Sequence, residues 1–281
     1  MILQWFNSLP KRSRLSVTRE FRASIPMAFV FGAMGNAFIG LVGHKALGMS
    51  DDMVAILQSM NMAGFVVTGI GASYLFRFSK PLLLRVLFML VAVLLASVFF
   101  LPYLPYVSYV FIFQIFLIQT VLAFSNSLRS AIWRMNYPQE HRARLLVIIY
   151  MTITSVSAGS VMIFSSLMDY GLSYRYIYII ASFAALLAAW GLGHIRVSGE
   201  KRDLEKYRED MTGQSNVGQF FYGLKVLKDD ARFRCFMSWQ MLNGLCSLSI
   251  EAALVIIITR IIDSRPEITQ AWLFGGTTLA A

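Results

Sequence analysis

Charge is what this sequence has least of. Only 14% of its 281 residues are Asp, Glu, Lys or Arg, whereas 57% are hydrophobic and 14% aromatic; soluble chains run at about a quarter charged. No charged residue occurs from Val86 to Leu128 or from Leu145 to Met168, which excludes a water-facing surface over those stretches. Cysteine is nearly absent. Cys235 and Cys246 lie eleven residues apart, roughly 16 Å along a helix, too far to bond within it. The three histidines, His44, His141 and His194, lie at segment ends away from both cysteines, so no metal site of the zinc type is expected. Clustered acids, a His-rich site or a nucleophile with its base are also lacking, so neither an enzyme nor a cofactor is expected. Nor is there the strict alternation of apolar and polar residues that transmembrane strands require.

Long apolar runs are abundant instead. A helix needs about 20 mostly apolar residues to cross the hydrocarbon layer. Seven candidate spans meet this, at residues 24–47, 53–76, 82–103, 106–130, 145–168, 173–195 and 235–262, and residues 271–281 begin an eighth. The expected fold is an all-α, polytopic membrane helical bundle: a six-helix N-terminal half plus the start of a second half. The first span follows basic residues as a signal peptide would, but it is too long and has no small-residue cleavage site.

The net charge of +10 does not point to nucleic acid, because the basic residues sit between apolar runs instead of on one solvated face. Lys11, Arg12, Arg14, Arg19 and Arg22 precede the first span; Arg77, Lys80 and Arg85 follow the second; Arg129, Arg134, Arg142 and Arg144 follow the fourth. The opposite connections carry Lys45 and Arg175, and later Arg260 and Arg265. Such asymmetry predicts a cytoplasmic N-terminus, in a multi-pass protein of the cell membrane, the inner membrane if the cell is Gram-negative. Arg85 and Arg129 read as topology signals whose long side chains reach the headgroups.

Three regions are expected: residues 1–195 as the first transmembrane bundle, 196–234 as a cytoplasmic linker, and 235–281 as the start of the second bundle. The linker places Val217, Phe220, Phe221, Leu224 and Leu227 on one helical face beside Lys225 and Lys228, the pattern of a helix lying on a membrane surface. A faint repeat accompanies the division. Phe21-Arg22 precedes the first span as Phe233-Arg234 precedes the seventh, with Gly32 and Gly244 at the same offset.

The passage KVLKDDARFRCF from Lys225 to Phe236, the loop YPQEHRAR from Tyr137 to Arg144, and six spans followed by a charged connection resemble the major facilitator superfamily. In the loop Ala143 stands where that family usually has Gly. The family's signature after the second helix survives only as Gly71 and Lys80, with Leu75 in the place of its acid. The resemblance implies twelve spans and transport by alternating access. Because the chain ends in the eighth span, a fragment or the product of an interrupted gene is expected.

Intramembrane polar residues are costly and tend to face a bundle interior or a water-filled path. Gly32, Gly35, Asn36, Gly40 and Gly43 form a stripe in the first span, and Gln58, Asn61, Gly64, Thr68 and Gly71 in the second. Gln119, Ala123, Asn126 and Ser130 do so in the fourth, and Gln240, Asn243, Gly244, Ser247 and Glu251 in the seventh. The candidate binding residues are Asn36, Asn61, Gln119, Asn126, Gln240, Asn243 and Glu251. The glycines read first as packing positions, and Asn36, Asn61, Asn126 and Gln119 read equally as cross-helix bonds or as a polar wall. Glu251, about 25 Å along its helix from Arg234, is the candidate for a coupling proton or a cationic group. The expected function is secondary transport of a small polar solute, with the lipid bilayer as the other partner. A structural or assembly role for a non-transporting, truncated membrane protein is the reading left open beside it.

Overall fold

The computed structural model describes residues 10–101 and 106–210, together with 225, 228–242, 244, 246 and 257. Among these residues every regular element is helical. Helix α1 spans Lys11–Ala33. After a break at Met34 and Gly35 the chain resumes as α2, Asn36–Leu41, and ends in a π-helical turn, Val42–Ala46. Then follow α3 (Asp51–Leu75), α4 (Lys80–Ser97, extended by a 3-10 turn Val98–Phe100), α5 (Val107–Asn136), α6 (Gln139–Asp169), α7 (Tyr174–Gly193) and the polar α8 (Glu200–Asp210). Five stretches are long and apolar enough to cross a membrane: Ser13–Ala46, Lys80–Phe100, Val107–Asn136, Gln139–Asp169 and Tyr174–Gly193. Helix α3, at 25 residues, completes a six-helix all-α bundle embedded in the membrane.

Local chemistry sets the helix ends. Pro138 pushes the residue before it out of the helical region, and Tyr137, at φ −112° and ψ 126°, ends α5 there. Helix α6 closes at Gly171, whose φ of 86° a side chain would resist. The Gly171 N–H donates to Met168 O and the Leu172 N–H to Leu167 O, the paired bonds of a Schellman ending.

The helices pack α4 on α7, α3 on α5, α1 on both α6 and α7, and α4 on α5. Lipid is as apolar as leucine, so close packing and cross-helix bonds supply the cohesion. Small residues mark the crossings. A methyl group on Gly32 would sit 1.9 Å from Ser160 Oγ of α6, one on Gly64 would sit 2.9 Å from the Gln119 backbone of α5, and one on Gly191 would sit 2.9 Å from Ala23 Cβ. Three aromatic contacts tie four helices together: Phe38 with Phe164 at 5.6 Å, Phe38 with Tyr178 at 6.1 Å, and Phe111 with Tyr178 at 6.0 Å. The opposite sides of the helices present Val93, Phe113, Phe183 and Leu187, each at least 60% exposed, to the surrounding lipid.

The helices overrun the expected spans at one end. Helix α1 begins at Lys11 instead of residue 24, α5 runs to Asn136 instead of residue 130, and α6 starts at Gln139 instead of residue 145. The extra turns carry polar residues that a hydropathy window rejects, yet Ser13, Ser16, Glu20 and Asn136 are buried there because they bond to one another's helices. Helix α8 closes the same end. Its Glu200 carboxylate accepts from the Lys80 N–H at 2.8 Å and from Ser79 Oγ at 2.9 Å, satisfying the start of α4. Asp203 pairs with the buried Lys80 ammonium at 2.7 Å. Residues 231–242 are also helical and exposed throughout.

Candidate functional site

The first span is interrupted where the polar stripe runs. Gly35 takes an extended conformation, φ −68° and ψ 144°, so the i to i−4 ladder lapses around it and backbone carbonyls lose their helical donors. In hydrocarbon such a group must find another partner. Gln119 of α5 donates its Nε2 to Met34 O at 2.9 Å and so supplies that partner, while Gln58 of α3 donates its Nε2 at 3.4 Å to Asn36 O, the first carbonyl of α2. Both glutamines are buried, and the Gln58 Oε1 has no donor facing it among the described residues. The break is therefore framed by amides from two other spans, one of which keeps an acceptor unused.

This geometry gathers Asn36 and Gln119 and adds Gln58, which the sequence places in the stripe of α3 without marking it out. Asn61 and Asn126 lie half-buried on α3 and α5, the same two helices, outside this contact. Gln240 is exposed on the helical stretch 231–242. Asn243 and Glu251 lie outside the described residues. Of the glycines in the first stripe, Gly32 meets α6 and Gly43 meets Leu57 of α3, so they serve two different helix contacts.

A second polar cluster lies toward the end where α1 begins. Glu20 is 2% exposed, yet both its oxygens are occupied. Oε1 accepts from Arg129 Nη2 at 3.2 Å and from the Trp133 indole N–H, and Oε2 accepts from the Tyr137 hydroxyl. The Arg129 guanidinium also lies over the Trp133 ring, 4.8 Å from its centroid. Arg129 does not reach out to headgroups; it is 2% exposed and paired. The sequence reading missed this because Glu20 is 109 positions away. Arg85, in contrast, is exposed, with its stem against Gly193.

The loop between α5 and α6 supports this cluster. Burial, and then the neighbouring Glu20 carboxylate, raises the Tyr137 hydroxyl well above the ordinary tyrosine range, so the phenol remains a donor. Arg142 donates from Nη2 to Tyr137 O and Arg134 O, both at 3.1 Å, covering carbonyls left open where α5 ends. Asn136 receives Ser13 Oγ at its own carbonyl at 3.1 Å, donates Nδ2 to Arg196 O at 3.0 Å, and accepts from the Ser198 N–H at 2.9 Å. It thus joins α1, α5 and the chain leaving α7.

Among the described residues no cluster of His, Cys, Asp or Glu is arranged to hold a metal ion. Neither a protein-family model nor a curated protein matches the chain.

Proposed function

We propose that this protein is a secondary transporter that moves a small polar solute across a cell membrane by alternating access, with the architecture of the major facilitator superfamily. The observation that carries the reading is the interrupted first span, framed at its break by Gln58 and Gln119. Broken helices inside membranes occur where backbone is enclosed by protein or lines a cavity, and transporters use such breaks to meet substrate. The groups at the break are neutral amides and carbonyls, which match a solute rich in hydroxyl or amide groups better than an ion of high charge. In the same reading the basic start of α1 lies in the cytoplasm, residues 1–195 form one rocking bundle, and Glu251 of the second bundle takes up the coupling proton.

Reconstitution into proteoliposomes tests it. Uptake of at least one solute from a panel of sugars, polyols, amino acids and amides is expected above protein-free vesicles. Asn36→Ala and Gln58→Leu should each lower that uptake by roughly tenfold, the consequence of leaving polar groups of a buried site unpaired. Glu251→Gln should abolish the response to an imposed pH gradient. Uptake no greater than that of empty vesicles across the panel removes the proposal, and pH-driven uptake unchanged in Glu251→Gln removes the proton.

A further inference from the structure

A cavity of about 510 Å³ opens at the end of the bundle where α1 begins, walled by α1, the end of α5 and the segment that leads from α7 to α8. Its polar lining comprises Ser13, Ser16, Arg19, Asn136, Arg196 and Ser198. Leu15, Met135 and Val197 supply apolar wall, and Leu15 is 59% exposed on the outer side of α1. The volume falls in the range of ordinary ligand sites, roughly 300–1,000 Å³.

The cavity is built by specific bonds. Asn136 fixes the connecting segment through Arg196 O and the Ser198 N–H, and Arg19 donates Nη1 to His194 O at 2.8 Å. The Arg19 guanidinium is thereby held at the cavity, and Arg196 lines the same concave surface. Arg19 is anchored, while the Arg196 side chain is exposed and forms no ion pair among the described residues. The nearby acids do not neutralise them: Glu20 is engaged by Arg129, Trp133 and Tyr137, Glu200 by the start of α4, and Asp203 by Lys80. The site therefore carries uncompensated positive charge, hydroxyl and amide donors, and an apolar edge, all at the level where a membrane helix leaves the bilayer.

We propose that this cavity binds the phosphate-bearing headgroup of an anionic phospholipid, with the phosphodiester between Arg19 and Arg196 and the first acyl carbons along Leu15. Guanidinium suits phosphate because its planar fork meets two oxygens at once. Basic pockets between membrane helices are a recurring setting for acidic lipids. The apolar edge favours a lipid over a soluble phosphate, which has nothing to place there. The site stands apart from the break in the first span and does not depend on transport.

The test uses the whole chain purified in neutral detergent. Native mass spectrometry and thermal unfolding are followed on addition of phosphatidylglycerol, phosphatidylcholine, or glycerol 3-phosphate and inorganic phosphate. Phosphatidylglycerol should bind and raise the unfolding temperature, and phosphatidylcholine should not. Arg196→Gln should weaken that binding roughly fivefold, the worth of one surface cation at an anionic headgroup, and Arg196→Glu more. Neither should change unfolding without lipid, because the side chain forms no ion pair or hydrogen bond among the described residues. Arg202→Gln, exposed on α8 and outside the cavity, should leave binding intact. Equal binding of both lipids, equal loss in Arg202→Gln, or no loss in Arg196→Gln would each overturn the proposal. A full stabilising effect from inorganic phosphate or glycerol 3-phosphate alone would overturn the lipid assignment.

Discussion

Arg129 Nη2 lies 3.2 Å from Glu20 Oε1, and each side chain is 2% exposed. The pair pins α5 to α1 in a place where neither charge reaches water. Removing one partner of a buried pair leaves the other uncompensated, at about 3–5 kcal/mol, whereas replacing both by apolar groups is often neutral. Glu20→Gln should therefore lower stability by about 3 kcal/mol, and Arg129→Met by a similar amount. Combining Glu20→Gln with Arg129→Met should cost less than the sum of the two single losses, because the amide oxygen still offers an acceptor to Trp133 or Tyr137 while no buried charge is left unpaired. Unfolding of the detergent-solubilised variants, analysed as a double-mutant cycle, measures the coupling. Additive losses would mean that the two side chains do not act as a pair.

Tyr137 provides a pH signature for the same cluster. Its hydroxyl is held above the ordinary range by burial and by Glu20. A raised pKa in the folded state means that this group's contribution is complete below the unfolded value of about 10 and is lost as pH climbs past it. Above pH 10 the unfolded chain releases a proton that the folded chain keeps, so this residue alone should cost about 1.4 kcal/mol of stability per pH unit. Tyr137→Phe should show a shallower alkaline decline. At neutral pH it should also be less stable by about 1.5–3 kcal/mol, having lost a bond to a charged acceptor. Denaturant titrations between pH 7 and 11 separate the two effects, and an alkaline slope identical to that of the parent would rule out a buried phenol.

The helices were legible because hydrophobic length is a local property: six of the seven expected spans have described counterparts in α1 with α2, and in α3 to α7. The seventh is described only in part, with residues 231–242 helical. What was not legible is pairing across distance. Glu20 looks like one more charge in a basic arm, and only the fold reveals that Trp133 and Tyr137, more than a hundred positions on, converge on it. The break at Gly35 was equally hidden. A glycine beside an asparagine is common in a packed stripe, and only the fold reveals the extended backbone there with the Gln58 and Gln119 amides beside it. Gln119 reads equally as packing or binding and Gln58 only as part of a stripe; their bonds to Met34 O and Asn36 O place both at the frame of the break. Helix ends were misjudged for the related reason that buried serines and Asn136 depress hydropathy while still lying inside the bundle.

Two glycines of α3 separate close packing from helix propensity. A methyl group on Gly64 would come within 2.9 Å of the backbone at Gln119 and Thr120, whereas one on Gly69 would meet nothing within 4 Å. Backbone cannot rotate aside as a side chain can, so Gly64→Ala must push α3 away from α5 and strain the Gln119 bond to Met34 O. Overpacking of this kind costs about 1–3 kcal/mol. Gly69→Ala carries no such penalty and removes the conformational freedom of a mid-helix glycine, so it should be neutral or stabilising by up to about 1 kcal/mol. Thermal unfolding of the two single variants under identical detergent conditions decides the matter. The expected order is Gly69→Ala at or above the parent and Gly64→Ala below it. Equal stability of the two variants would mean that α3 and α5 do not approach at Gly64, and the amide frame around the break would lose its support on that side.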